Sequence, residues 1–325
     1  MLPTRDQELA VLRSVVYASL FDYPLTLAQL ESSLIGVRAE APAIASWLRN
    51  SEFLQCAIEH RDGLFFPTGR ADLVATRARR EALSRELLDR DRRILNLISG
   101  MPFVRMAALS GSLAHLNAEG SADLDLFVIT APHRVWSVTV ATLVLSKLLG
   151  CRRHLCMNYV VSEQALEIAP QDLFSANQII HLRPMTGHRV FERFVKANPF
   201  VRDFYPNFEL GTEYPEPHAP HLRQGYGGQA SPKSQAPSPK PRIERLLSFG
   251  AAQLLERVAR SLYGWHLRRK AASWHSRDQV RLEPECLKLH TSSHRGETMA
   301  RFERAMDDLM RGTEQNPREV GVLSR

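Results

Sequence analysis

Two short clusters in this chain have the residue types and spacing to handle a phosphate and a divalent cation. The first is Gly111-Ser112, at the end of the apolar run Val104 to Leu109. The second is Asp123-Leu124-Asp125, embedded in the apolar sequence LDLFVI. In an extended strand side chains alternate between faces, so Asp123 and Asp125 share one face while Leu124, Leu126 and Val128 share the other. Two carboxylates side by side repel, and burying them unpaired is costly. A divalent cation is the natural counter-ion. Hard oxygen ligands suit Mg²⁺, which also accepts substrate phosphates as ligands. Gly111 lets a phosphate approach the backbone, and the Ser112 hydroxyl with the amides of a following helix start offers donors for it. A phosphate cradle and a metal platform on adjacent strands are what metal-assisted phosphoryl-type transfer requires.

The elements around these clusters follow from local signals. Val104 to Leu109 is predicted as a buried strand, Leu113 to Ala118 as a short helix and Asp123 to Ile129 as a second strand. Upstream, Glu8 to Leu20 is a helical pattern that ends before Asp22-Tyr23-Pro24. Thr26 is an N-cap for a helix through Leu34, and Pro42 opens a third helix carrying Ile44, Trp47 and Leu48. Phe53 to Glu59 and Leu64 to Phe66 are predicted as strands around the Arg61-Asp62-Gly63 turn. Three helices followed by a hairpin is the winged-helix order. Arg70 to Ser99 reads as one long arginine-rich helix with Glu81–Arg85, Glu86–Arg90 and Asp89–Arg93 at i, i+4.

These readings divide the chain into a winged-helix domain (1–68), a connecting helix (69–100), an α/β core with a short mixed sheet (101–210), a flexible linker (211–242) and a helical C-terminal region (243–325). The expected class is α+β. The linker assignment rests on a Pro-, Gly-, Ser- and Gln-rich composition with little to bury. The C-terminal assignment rests on the spacing of Leu246, Leu247, Leu254, Leu255 and Val258, and on a pattern through Met299 to Met310.

Bulk properties narrow the partners. The 325-residue chain carries a net charge of +7, which favours nucleic acid or nucleotide partners only weakly. Four cysteines do not form a disulfide framework, and Cys151, His154 and Cys156 fit no standard zinc spacing. The longest apolar run, Val135 to Leu149, is too short and too polar to span a bilayer and is predicted as a buried helix. A cytoplasmic protein with no membrane partner is expected.

The combination Leu109-Ser110-Gly111-Ser112 and Asp123-Leu124-Asp125-Leu126, with Leu113 to Ala122 between, resembles the signature of the polymerase β-like nucleotidyltransferase superfamily. With the upstream helices it looks like bacterial and archaeal members carrying an N-terminal winged helix, over about Leu9 to Asn207. A weaker echo lies in LKLHTSSHRGETMARFERAM. The resemblance implies transfer of a nucleoside monophosphate from an NTP to an acceptor, with release of pyrophosphate. Asp123 and Asp125 would be catalytic and would hold Mg²⁺ or Mn²⁺, and Gly111 and Ser112 would bind the nucleotide phosphates. The acceptor (RNA, protein or a small molecule) stays open.

The pattern departs from the family at one point. Active members usually carry a third carboxylate on a later strand, and apolar alignment of Leu155 to Val161 puts Asn158 there. Glu163 or Glu167, just beyond that strand, are candidate substitutes. Lys147, Arg152 and Arg153 could reach a triphosphate or complement a helix end. His290 and His294 have i, i+4 spacing, but Thr291 to Ser293 between them look like a helix start. The alternative to catalysis is a catalytically weak or inactive nucleotide-binding regulator that uses its winged helix to contact DNA or protein. Against DNA, the presumed recognition helix Pro42 to Asn50 carries only Arg49 as a base.

Overall fold

A computed structural model describes residues 2–120, 122–210, 244, 251–289 and 294–315. The predicted linker and His290 lie outside the described residues. The described chain is a mixed α+β structure with two sheets.

The first sheet belongs to the N-terminal unit. Helix α1 (Arg5–Ser19) starts at a capping box in which the Thr4 side chain and Gln7 bond each other's backbone amides. A second capping box, Thr26 with Gln29, opens α2 (Leu27–Ser32) directly after the two-residue strand β1 (Leu25–Thr26). Helix α3 (Ala41–Asn50) has Pro42 in its first turn, as predicted. The predicted strand from Phe53 is corrected. Ser51 caps a short helix α4 (Glu52–Ala57) by accepting the Leu54 amide, which commits those residues to a helical turn. Strand β2 (Ile58–Arg61) begins only after it and pairs antiparallel with β3 (Leu64–Pro67). The resulting sheet has the order β1-β3-β2.

Helix α5 (Asp72–Gly100) is the long connector, but its arginines are not simply solvated. Arg77 is buried, bonds the Pro24 carbonyl and Gln29, and stacks on Tyr23. Arg80 reaches Asp22, the Phe21 carbonyl and Glu119. Arg77 ties α5 to the first unit, and Arg80 ties the first unit to the second. Of the predicted ion pairs, Glu81–Arg85 is formed at 2.5 Å, whereas Arg90 bonds the adjacent Asp91 at 2.7 Å.

The second sheet has six strands in the order β7-β4-β5-β6-β9-β8. Strands β4 (Val104–Leu109) and β5 (Leu124–Thr130) are antiparallel neighbours, and β6 (Leu155–Ser162) runs parallel to β5. Helix α6 (Gly111–Ala114) follows β4 as a single turn, shorter than the predicted Leu113 to Ala118 helix. The chain leaves it at His115, and Leu116 adopts a left-handed backbone that stops propagation. Helix α7 (Val135–Leu148) joins β5 to β6. Helix α8 (Leu173–Ile180), capped by Asp172, leads to β7 (Arg183–Thr186). Gly187 then turns with φ +76° so close to β4 that a side-chain carbon there would sit 2.8 Å from the Met106 Cα. Helices α9 (His188–Lys196) and α10 (Val201–Phe204) complete this part.

The C-terminal region was expected to be helical, and among its described residues two long helices are joined by a short hairpin. Helix α11 (Ala251–Lys270) packs on α7. A hairpin of β8 (Val280–Leu282) and β9 (Cys286–Leu289) then extends the sheet, with β9 antiparallel to β6. These strands are too short for a period-2 signal to stand out among helical neighbours. Helix α12 (Arg295–Gln315) returns to pack on α1 and α4, and Phe302 meets the Tyr17 ring edge-on at 5.2 Å between centroids.

Helix α7 is also corrected. Its first half is buried, but its second half is turned inside out. Thr139, Thr142 and Ser146 are buried while Val144 and Leu148 face solvent. The hydroxyls of Thr139 and Ser146 bond carbonyls of their own helix at 2.6 and 2.8 Å, so small polar side chains can pack inward at little cost.

Candidate active site

Strands β4 and β5 bring the two sequence clusters together. Gly111 has φ +63°, a conformation that disfavours any side chain. A carbon added at Gly111 would run into the Asp125 carboxylate, with its Cγ at 3.2 Å. Gly111 is therefore required by both backbone and neighbour, and the turn rests on the carboxylate. The Ser110 amide bonds the Asp125 carbonyl at 2.9 Å, which fixes the register of turn and strand.

Asp123 is exposed just ahead of β5, and Asp125 is half-buried one pleat further in. Asn158, on the parallel neighbour β6, donates an amide hydrogen to Asp125 at 2.6 Å. The position aligned with a third acid is thus adjacent to the acid pair and holds a neutral donor. Burial, then the nearby Asp123, push the Asp125 carboxyl up to about 7 despite the Asn158 hydrogen bond, which acts the other way. The Cys156 thiol sits 3.4 Å from the Asp123 carboxylate. Burial and both aspartates push that thiol up to about 12, and Arg152 opposes the shift. Burial is the main cause of both shifts, and the neighbouring aspartates add to it.

The other candidates divide. Arg152 is the base felt at Cys156, and it also bonds the Leu155 carbonyl at 3.2 Å. Glu163 lies at the opposite end of β6, bonded to Arg193 at 2.6 Å and 3.7 Å from Arg105, so it does not replace the third acid. Glu167 is exposed and does not line the cavity. Cys151, His154 and Cys156 face three separate partners: the Ser146 carbonyl, Asp91 and Asp123.

Gly111, Ser112, Asp125 and Asn158 line one end of a cavity of about 280 Å³. Its remaining wall comes from α1, the turn after α1, and α8. Tyr17, Phe21, His115, Phe174, Asn177 and His181 contribute. No family model, curated protein or solved structure matches the chain. The cavity must be read from its own chemistry. Among its lining residues there is no lysine or arginine, and Asp125 is the one acid. His115 and His181 meet edge-to-face at 4.2 Å. Burial drives both imidazoles down, His181 to about 4, so both are neutral near pH 7. The buried Tyr17 hydroxyl has no hydrogen-bond partner among the described residues.

None of these wall residues was singled out from sequence. Helix α8, capped by Asp172, packs on the sheet side of the core and lines the cavity with Phe174, Asn177 and its C-cap His181.

Proposed function

We propose that this chain is an Mg²⁺-dependent nucleotidyltransferase of the polymerase β type, joining a nucleoside monophosphate from an NTP to an acceptor. The observation that carries the reading is the Asp125 carboxyl. It lines one end of a cavity, pushed up to about 7 beside a second aspartate, against a left-handed turn that favours glycine. The order α1, β1, α2, α3, β2, β3 supports a winged-helix reading of the first unit, with α4 as an insertion. The apolar strand, Gly-Ser turn and acid-bearing second strand support the transferase reading of the second.

The site's chemistry fits a divalent cation. Among the described residues no three His, Cys, Asp or Glu side chains converge, so a closed protein cage is not offered. Two hard carboxylates side by side suit an ion that takes its remaining ligands from water and phosphate. Asp123 and Asp125 would hold it, and bound there it would neutralise charge on the transferring phosphate. Gly111 lets the Asp125 carboxylate lie against the turn, and the Ser112 hydroxyl is the nearby donor for a phosphate. The acceptor oxygen bonds the α-phosphorus as the bond to pyrophosphate breaks. Asn158 cannot take the acceptor's proton, so that proton leaves to solvent and the rate rises with pH.

The neutral cavity bears on the acceptor. A triphosphate would find no cation inside it, so the phosphates belong at the rim near Asp123 and Arg152. The interior suits an uncharged, ring-bearing small molecule, offered aromatic faces, side-chain amides and the Tyr17 hydroxyl.

The test is label transfer from each α-labelled NTP with Mg²⁺ or Mn²⁺ in a small-molecule extract, beside Asp123→Asn/Asp125→Asn. Label in a small product with wild type only supports the proposal. Label with neither protein refutes transfer. One observation favours a second reading, a nucleotide-binding regulator of weak or no activity: Asn158 already satisfies part of Asp125 where active relatives carry an acid. NTP binding without transfer would select it. In either case α1 is engaged by the cavity and by α12, which favours an inward, structural use of the first unit over DNA reading.

A further inference from the structure

Large apolar side chains are not scattered evenly over this surface. Eleven are exposed among the described residues, and eight of them lie on α7, its C-cap or α11, two helices that pack on each other. On α11 they are Leu254, Leu255, Val258, Leu262 and Trp265. At roughly 100° per residue these five fall within an arc of about 100°. Leu262 is 67% exposed and Trp265 54%. The opposite face of α11 is the one that packs. It buries Ala252, Ala259 and Leu267, and it buries Glu256, whose carboxylate accepts the Trp136 and Ser137 amides at the start of α7 at 2.9 and 2.8 Å. On α7 and its cap the exposed set is Val144, Leu148 (78%) and Leu149.

The charges on the same two helices are of one sign. Helix α11 exposes Arg257, Arg260, Arg268, Arg269 and Lys270, and its one acid, Glu256, is buried. The Arg269 guanidinium lies 4.0 Å from the centroid of the Trp265 ring. Helix α7 has no acid, exposes Lys147, and is followed by exposed Arg152 and Arg153.

We infer that the α7–α11 face docks on an anionic lipid surface, lying in the headgroup layer without crossing it. A helix with leucines and a tryptophan along one arc, flanked by arginine and lysine, is the form that inserts its apolar side into the boundary while cations meet lipid phosphates. Among the described residues no helix is long and apolar enough to cross a membrane, so the contact is peripheral. A second copy is the poorer occupant. Parallel pairing of two α11 stripes would bring Arg257, Arg268 and Arg269 of each copy against like charges, and in either orientation the helix has no exposed acid to pair with a base. This inference does not depend on the transferase reading. It narrows the expectation of no membrane partner to no membrane span.

The experiment is sedimentation of the full chain with vesicles of phosphatidylcholine alone or mixed with phosphatidylglycerol, at low and high salt. Expected is at least about tenfold more binding to the mixed vesicles, weakened by salt. Leu262→Glu/Trp265→Glu should abolish it, and Arg257→Glu/Arg268→Glu should reduce it to the level on phosphatidylcholine alone. Unchanged thermal melts would show that these exposed substitutions leave the fold intact. Variants that unfold would be replaced by Leu262→Ser and Arg268→Gln, with the same expected order. Lack of binding to mixed vesicles overturns the inference, as does binding that survives Leu262→Glu/Trp265→Glu. A concentration-dependent dimer in lipid-free solution that the same double substitution dissolves would also overturn it and give the face to a second copy.

Discussion

The acid pair and the α7–α11 face are inverted in opposite senses. At β5 a carboxylate is drawn inward beside another, with the Asn158 amide as its side-chain donor. Across the sheet, α11 holds its one carboxylate inside and its leucines outside. Yet the two regions treat a buried acid very differently. Glu256 receives two amide hydrogens from a helix start, a site that welcomes negative charge. Asp125 receives one, from Asn158, and remains pushed up to about 7. The comparison teaches that burial alone does not mark a functional acid. A satisfied buried carboxylate is architecture, and an unsatisfied one is a place where something else belongs.

That contrast can be broken most sharply through activity. Asp123→Asn/Asp125→Asn should lower transfer by on the order of a thousandfold or more, measured as labelled product per minute. The same change should leave the circular dichroism of the protein unaltered. Next in size is Glu256→Ala, which strands two buried amides at the start of α7. It should cost roughly 2–4 kcal/mol in denaturant unfolding. A cost near zero would mean that Glu256 is not the cap it resembles. Gly111→Ala should cost about 2 kcal/mol through its positive φ and the contact with Asp125. Its apo penalty should shrink when Asp125→Ala is combined with it, because that removes the crowded carboxylate.

The pH dependence separates the two acids further. The folded protein holds a proton on Asp125 up to about 7, whereas the unfolded chain releases it near the ordinary value of 3.8. Between those values the folded state binds more protons, so this group's contribution to metal-free stability falls as pH rises. Asp125→Asn should remove that slope. It should raise the apo melting temperature at pH 8 by several degrees, for up to about 4 kcal/mol, and change little at pH 4. The smallest effect is at Cys156. Asp123→Asn should speed its alkylation several-fold at pH 8, because burial would remain but Asp123's contribution to the raised thiol would go. An unchanged rate would show that access, not charge, protects the sulfur.

Much of the first of these regions was legible from residues in order along the chain. Thr26 and Pro42 announced their helices through local chemistry that needs no distant partner. The β4–turn–β5 unit was legible because an apolar run, a glycine and alternating acids stand within thirty residues. The resemblance and the apolar rhythm of β6 together put Asn158 at the place of a third acid, and it lies beside Asp125. What sequence did not show is whatever depends on convergence. Tyr17, His115 and His181 come from three elements, and nothing local to any of them says that they share a cavity. The inward hydroxyls of α7 were hidden for the same reason: apolar periodicity locates a face but does not say which neighbour arrives to cover it. Phe53 to Ala57 failed differently, since strand-like residues were overruled by a cap at Ser51.

The place of β9 has a consequence for how the molecule comes to exist. Tyr159 on β6 lies opposite Lys288 on β9, so one side of β6 has no strand to pair with until the distant segment Cys286–Leu289 has been made. At ordinary rates of synthesis that interval is on the order of ten seconds. During it a nascent chain presents a valine-rich strand edge, the kind of edge that recruits other chains. Production of this protein should therefore be limited by aggregation of chains stopped short of residue 289, and should improve with slower synthesis or with a holdase that masks β6.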